Sequence, residues 1–448
     1  MSKLNLGNDL YLKGRIGWRG LSKDEYLEKS DYRIINATSL EDKYINWDIC
    51  GYINRERYDE SPEIQLQEND ILISKDGTLG KIGFVKNLNQ LSTVASGVFV
   101  LRNTFKNKLD TDYLFHLLKS NIFKDFISKR KASGSTINHL YQSDLSQFEI
   151  ELPKIEIQQQ VSKLLNVIDD KITLNNRINR ELEQMAKLLY DYWFVQFDFP
   201  DANGKPYKSS GGKMVWNKEL KREIPERWED VKLKSILKLN YQSISKLDSF
   251  ASINYLDTSS LNRNVIDSTQ LINCNDDIMP SRAQRIICKN DILYSTVRPN
   301  QCHYGIIKEP IENMIASTGF AQLHSKVSTL SNDFIYTFLT SNWVIQRLQQ
   351  IAELSVSSYP SILPSDILDL TIALPKDKNI ETMKSINCKL ASYYSLISKN
   401  NKQNHHLTTL RDWLLPMLMN GQVRVGEAGK KEYQPNEVEM DLAAESGD

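Results

Sequence analysis

The hexapeptide NDILIS at residues 69–74 returns as NDILYS at 290–295, 221 residues further along the chain. It does not return alone. DYLFHLLKSNIF (112–123) answers DFIYTFLTSNWV (333–344) at the same offset, and SDLSQFEIELPK (143–154) answers SDILDLTIALPK (365–376) at an offset of 222. TVASGVFVLR (93–102) answers MIASTGFAQLH (314–324). Four segments in one order and in register require two copies of one structural plan. The text between the shared segments differs. After the hexapeptide the first copy continues KDGTLGKIGFV, the second TVRPNQCHYGII. A common frame with divergent loops points to modules that present different surfaces.

Each copy opens on short strands. DILIS, IGFV and VFVL are β-branched or aromatic runs bounded by Gly, Asn and Asp. Each copy then passes an LPK tripeptide into a longer, helical pattern. In the first, Val161, Leu164, Ile168, Asn175, Ile178, Leu182, Met185, Leu189 and Tyr192 recur at steps of three and four, with Lys171 the polar break. That pattern is a coiled-coil seam on a helix roughly 60 Å long. In the second, Met383, Ile386, Leu390, Tyr393, Ile397, Asn400, Asn404, Leu407, Leu410, Leu414 and Met417 repeat it. The two helices are therefore expected to pack on each other. Residues 198–223 are rich in Gly, Pro, Ser and Lys and read as an exposed connection, before IPERWEDVKL (224–233) opens the second unit.

Composition bounds the chemistry. The formal charge of zero conceals an uneven distribution: residues 426–448 hold seven acids and two lysines, a net of −5, which leaves 0 − (−5) = +5 on residues 1–425. A mildly basic body is compatible with nucleic acid. The five cysteines, Cys50, Cys274, Cys288, Cys302 and Cys388, form no CxxC, so reduced thiols are expected and a zinc site is not. The apolar runs are far shorter than a membrane span and no apolar signal core opens the chain, so a cytoplasmic protein is expected. There is no G-x-x-x-x-G-K-[ST] phosphate loop, no dinucleotide fingerprint and no Asn/Asp-Pro-Pro-aromatic tetrapeptide of amino-methyltransferases. His405 and His406 are neighbours on a helix and point apart. DGTLGKIG (76–83) is glycine-rich and reads as a phosphate cradle or as a turn between strands. KSNIFKDFISKRKASGST (119–136) carries Lys119, Lys124, Lys129, Arg130 and Lys131 against one acid. It is a solvated helix face or a phosphate-contacting edge.

Taken together, KGRIGWRGL (13–21), NDILISKDGTLGKIG (69–83), LPKIEIQQQV (152–161), IPERWEDVKL (224–233) and LRDWLLPMLMNGQV (410–423) resemble the specificity subunit of a Type I restriction–modification system over roughly residues 1–421. The first copy lacks the Ile-Pro-x-x-Trp opener of the second, and the acidic tail lies outside the pattern. The resemblance implies an α+β fold of two strand-rich target recognition domains separated by a pair of long antiparallel coiled-coil helices. Its expected bounds are a first recognition domain at 1–155, a spacer helix at 156–199, a linker at 200–223, a second recognition domain at 224–376, a spacer helix at 377–421 and a tail at 422–448. It also implies a non-catalytic subunit that reads a bipartite target on double-stranded DNA. Two methyltransferase (M) subunits, which carry S-adenosylmethionine, and motor-nuclease (R) subunits would be its partners, and no membrane is involved. This chain itself would hold no cofactor and no metal.

On that reading the divergent loops face DNA, where Asn, Gln, Arg and Lys read base edges and Lys, Ser and Thr hold phosphates. Lys75, Thr78 and Lys81 are the candidates in the first domain, and Arg298, Asn300 and Gln301 in the second. Arg15, Arg19, Lys129, Arg130 and Lys131 are further candidates. Antiparallel helices would pair positions whose numbers sum to roughly 576, which brings Asn175 beside Asn400 as a register-fixing amide pair. Two other classes fit the same residues: a DNA-modifying enzyme with a degenerate site, and a coiled-coil scaffold that reads no sequence.

Overall fold

The computed structural model describes all residues except 1, 16–19, 41–42, 132–138, 246–247, 356–358, 378–380, 420, 424 and 426–448. The chain divides into two compact units. The first comprises residues 1–173 and 404–448, the second residues 174–403. The divisions fall inside the two long helices, not in the Gly/Ser/Lys-rich connection.

The first unit is built on a four-stranded antiparallel sheet, in spatial order Tyr11–Gly14, Val98–Arg102, Ile71–Ser74 and Ile82–Phe84. A second sheet runs Gly51–Ile53, Tyr32–Ile35, Leu91–Val94, with the last pair parallel. Ser2–Asn5 pairs with Glu149–Leu152. The hexapeptide strand is buried along its whole length, because both of its faces are covered. Ile71 and Ile73 pack with Phe84, Tyr113, Phe123 and the helix residues Val161, Leu165, Leu415 and Leu418. Leu72 packs on the other side with Ile35, Val94 and Val100. A two-sided strand reads as a continuous apolar run and not as an alternation.

The second unit repeats the main sheet strand for strand and adds a fourth strand, Ala283–Ile286, to the second sheet. Its main sheet runs Leu237–Leu239, Phe320–Ser325, Asp291–Ser295, Tyr304–Ile307. Its second sheet centres on a parallel pair, Ser252–Leu256 with Met314–Ser317. Trp228–Lys232 pairs with Thr371–Pro375. The fold is thus α+β with an internal duplication.

The frame of the repeated hexapeptide is conserved at the level of atoms. Asn69 and Asn290 both hold left-handed backbone, φ 73° and 66°, a conformation asparagine tolerates better than most residues. Asp70 and Asp291 are fully buried, and each accepts the backbone N–H three residues before it, at 2.8 Å from Gln67 and 2.8 Å from Cys288. Ser74 and Ser295 are buried and donate to the carbonyls of Thr78 and Val297 at the start of each divergent loop.

The long helices span Ile155–Tyr190, closed by a π-helical turn at Asp191–Val195, and Glu381–Met419. They run antiparallel. In the first unit Arg411 donates to Asp169 at 2.8 Å. In the second, Asn175 donates to Gln403 at 2.9 Å and Asn400 to Asn179 at 2.8 Å. The paired numbers sum to 580, 578 and 579, three or so beyond the expected register. The first seam also departs from the strict three–four alternation. Leu165, Asn179, Ala186, Tyr190 and Trp193 are buried, whereas Met185 and Tyr192 are exposed. A nearly straight helix turns at 3.6 residues, so a 3.5-residue pattern drifts off the contact line over five turns.

The connection after the first helix is folded. Met214–Asn217 and Arg222–Pro225 form a hairpin. Phe199 stacks on Tyr207 and on Trp228, with ring centres 4.8 and 5.1 Å apart, and Phe197 meets Trp228 edge-on. Four aromatic residues outweigh the flexible composition around them. Among the described residues no helix is long and apolar enough to cross a membrane, and no cluster of His, Cys, Asp and Glu is placed to hold a metal.

Candidate nucleic-acid interface

The loop after Ile71–Ser74 turns on Gly77 and Gly80, both left-handed. Gly77 faces open space, whereas Gly80 lies against Ile127. At the loop's base Lys75 is anchored through its backbone to Gly97 and Leu140, and its amine lies 4.9 Å from the centre of the Phe99 ring. Burial pushes that amine's pKa down, against the opposing charge of Asp76. Asp76 in turn holds the His139 ring. Thr78 is exposed at the tip, with its carbonyl engaged by Ser74. Lys81 is half-buried and lines a cavity of about 320 Å³ with Gly80, Lys119, Lys124 and Arg411.

The second unit's loop is built differently. Arg298 takes a left-handed backbone at φ 47°. Its N–H donates to the Pro360 carbonyl at 2.9 Å, and its guanidinium lies 5.3 Å from the Tyr359 ring centre. Pro299–Gln301 forms a short 3-10 turn held to the helix Asn342–Glu353, where Gln349 accepts the Asn300 N–H at 3.2 Å. The side chains of Asn300 and Gln301 are exposed. The guanidinium and two amides therefore share one rigid turn. That is a suitable arrangement for hydrogen bonds to base edges, because little conformational freedom remains to be lost on contact.

Arg15 does not belong to such a surface. It is 1% exposed; its Nε donates to the Val94 carbonyl and its Nη1 to Ser61 Oγ. Burial lowers its pKa although Glu60 opposes the shift. An arginine in KGRIGW reads as an exposed basic residue until the sheet that encloses it is known. Arg19 lies outside the described residues. Lys129 is exposed on the helix Asn121–Lys131, which also contains Arg130 and Lys131, whose side chains lie outside the described residues.

Midway along the long helices the amides form a chain. Asn175 is fully buried and Asn400 nearly so, but they pair with Gln403 and Asn179 rather than with each other. Asn179 also donates to Asn401, which donates to the Asn264 carbonyl, and Asn264 donates to Glu183. Burial raises the Glu183 pKa, partly offset by Asn264. Sequence periodicity singled out two of these residues. Asn179 and Gln403 were hidden by the register, and Asn264 by its distance along the chain.

Residues 17–184 match the family model described as the Type I restriction modification DNA specificity domain. The MjaIX specificity subunit of Methanocaldococcus jannaschii is 27% identical over 80% of this chain and 78% of its own length. The HindI specificity subunit of Haemophilus influenzae is 22% identical over 80% of this chain and 87% of its own. Among solved structures, the Type I restriction–modification S subunit from M. genitalium superposes with a TM-score of 0.53 at 16% identity, covering 93% of this chain and 95% of that one. Residues 17–184 thus match the Type I restriction modification DNA specificity domain, and the chain over most of its length is similar to Type I specificity subunits.

Proposed function

We propose that each unit reads one half of a split sequence on double-stranded DNA, and that the paired helices set the gap between the halves. The observation that carries this reading is the duplication itself: one frame, identical in the order of its main sheet, in the left-handed backbone of Asn69/Asn290 and in the bonding of Asp70/Asp291, supports two loops of unlike chemistry. Lys75, Thr78 and Lys81 serve the first half-site, and Arg298, Asn300 and Gln301 the second. Asn175 and Asn400, each bonded to an amide of the opposite helix, hold the helix register, because a slipped pairing leaves buried amides unmatched.

The chain acts as the non-catalytic specificity subunit of a methyltransferase/endonuclease assembly. S-adenosylmethionine belongs to the methyltransferase subunits and the motor to the nuclease subunits. The first helix offers a docking face for such a subunit. Leu188 and Val195 are seven residues apart, as are Met185 and Tyr192, and Leu174 lies two heptads before Leu188, all exposed. A second seam with nothing on it is the signature of a helix that takes a further partner.

Exchange of residues 1–155 for those of a relative, followed by methylome sequencing of the host, tests the reading. One half-site should change, while the other half and the spacing stay. A change in both halves, or methylation with no split motif, rejects it. Replacing Arg298 by alanine should relax one base position of the second half-site, at a cost of about 1–3 kcal/mol in discrimination.

A further inference from the structure

The cavity between the first unit's loop and its helices is a stronger cationic feature than any single loop residue. Lys81 comes from the loop, Lys119 ends the helix Thr111–Lys119, Lys124 lies in the helix Asn121–Lys131, and Arg411 reaches in from the second long helix. Its other walls are Leu40, Gly80, Ile82 and Leu118, so among the described residues no carboxylate lines it. Arg411 is neutralised locally, since it donates to Asp169 at 2.8 Å and to Asp412 at 2.9 Å. Lys119 lies 5.3 Å from the Phe115 ring centre, and its charge helps to bring the Asp169 pKa below its ordinary value although burial opposes this. Lys81 and Lys124 have no carboxylate partner among the described residues. Their two positive charges border a space of about 320 Å³. That is room for one tetrahedral oxyanion and its hydration.

The duplication supplies an internal control. The matching positions in the second unit are His303, Thr340, Ile345 and, 221 residues before Arg411, Tyr190. His303 is bonded to the Leu261 carbonyl at 3.0 Å, Thr340 is buried with its hydroxyl on Tyr336, and Tyr190 sits in the core. The shared frame therefore folds without these four cations. The convergence of these cations from four elements in the first unit is not required by the scaffold, and Lys81 and Lys124, brought to one space with no carboxylate partner among the described residues, repel each other unless an anion joins them.

We propose that this cavity is a phosphate site, held by Lys81, Lys119 and Lys124 with Arg411 as its fixed wall, and that it takes one backbone phosphate of the DNA read by the first unit. The assignment rests on the DNA-reading function proposed above and adds to it a defined phosphate contact that exists on one side only. Such a contact fixes the position of the duplex without carrying sequence information.

The test uses the full chain co-purified with its methyltransferase partner. Duplexes carrying the split target receive a single neutral methylphosphonate linkage, moved one position at a time. The unmodified protein should lose binding by roughly tenfold at one linkage in or beside the first half-site. The Lys81→Gln/Lys124→Gln variant should be insensitive at that same linkage, keep its sequence preference, and show a salt-dependence slope smaller by about 0.9. Lys289→Gln, an exposed lysine of the second unit, should leave the linkage profile as it is. A double variant with the full slope, or one still sensitive at every linkage, overturns the site while leaving sequence reading intact. An unmodified complex with no sequence preference overturns the parent reading instead, and the site with it. Inorganic phosphate that shields Lys81 and Lys124 from amine acylation without competing against duplex assigns the cavity to a free anion and overturns the DNA contact.

Discussion

The two units solve one problem with different chemistry. Beneath each repeated hexapeptide lies a fully buried aspartate that caps the preceding turn. In the first unit its other partner is a permanent cation: Arg102 donates twice to Asp70, at 2.7 and 2.8 Å. In the second, Asp291 is met by Tyr241 at 2.8 Å, Gln322 at 2.7 Å and His324 at 2.8 Å. The first pairing is strong and all-or-none. The second spreads the same negative charge over several weaker donors. A duplicated frame fixes where the carboxylate sits, and it leaves open how the charge is satisfied.

The comparison breaks most easily at these aspartates. Asp70→Ala leaves Arg102 beside a buried void and should destabilise the first unit by about 3–5 kcal/mol. Asp291→Ala strands hydrogen-bond donors that can rotate or find water, and should cost about 1–3 kcal/mol. Urea unfolding followed by a probe in each unit measures both. Equal costs would show that the partner's charge is irrelevant.

Acid provides the next contrast. His116 is buried against Asn166 and Asp169, and burial pushes its pKa down to about 4, the nearby carboxylate notwithstanding. Thr337 holds the same place in the second unit and meets the Tyr394 hydroxyl at 3.0 Å. A histidine depressed in the folded state contributes its full stability above its unfolded pKa of about 6.5. That contribution is lost as pH falls toward about 4, because the unfolded chain binds the proton first. The first unit should therefore lose about 3 kcal/mol between pH 6.5 and 4, and Asp169, whose pKa is lowered from 3.8, adds to the loss in the same direction below that window. Parallel melting of both units over that range would contradict this assignment.

Smaller effects separate position from reading. Asn179→Ala removes the acceptor of Asn400 and should cost about 1–2 kcal/mol. Paired Asn179→Leu and Asn400→Leu changes should restore stability but admit a second register, visible as a second spacer length in the methylated motif. A single spacer would remove the register role. Thr78→Ala, at an exposed tip, should shift stability by less than about 0.5 kcal/mol while altering preference in the first half-site alone.

How far the sequence disclosed this molecule depended on the range of the signal. The repeat was visible because buried strands such as Ile71–Ser74 and Asp291–Ser295 admit few residue types, so the two copies still match in spelling. The helices were visible through their periodicity. Their faces were less so, since Met185, Leu188 and Tyr192 make a second apolar stripe that the three–four pattern merged with the first. Burial of Arg15 depended on Ser61 and on Val94 at a strand end, 46 and 79 positions away. The basic cavity was the least visible, because Arg411 reaches Lys81 only through the antiparallel return of a helix that begins 300 residues after the loop.

That return also orders the molecule's manufacture. The second unit is one unbroken stretch, residues 174–403. The first is closed by Leu414, Leu415, Leu418 and Met419, which complete the core begun by Leu4 and Leu6. A ribosome adds about 5–20 residues per second, so the earliest part of the chain to be synthesised waits on the order of tens of seconds for its last wall. The half made first is finished last. During that interval its open flank is exposed in the cell, and a chaperone or an assembly partner present at synthesis meets an incomplete recognition domain beside a finished one.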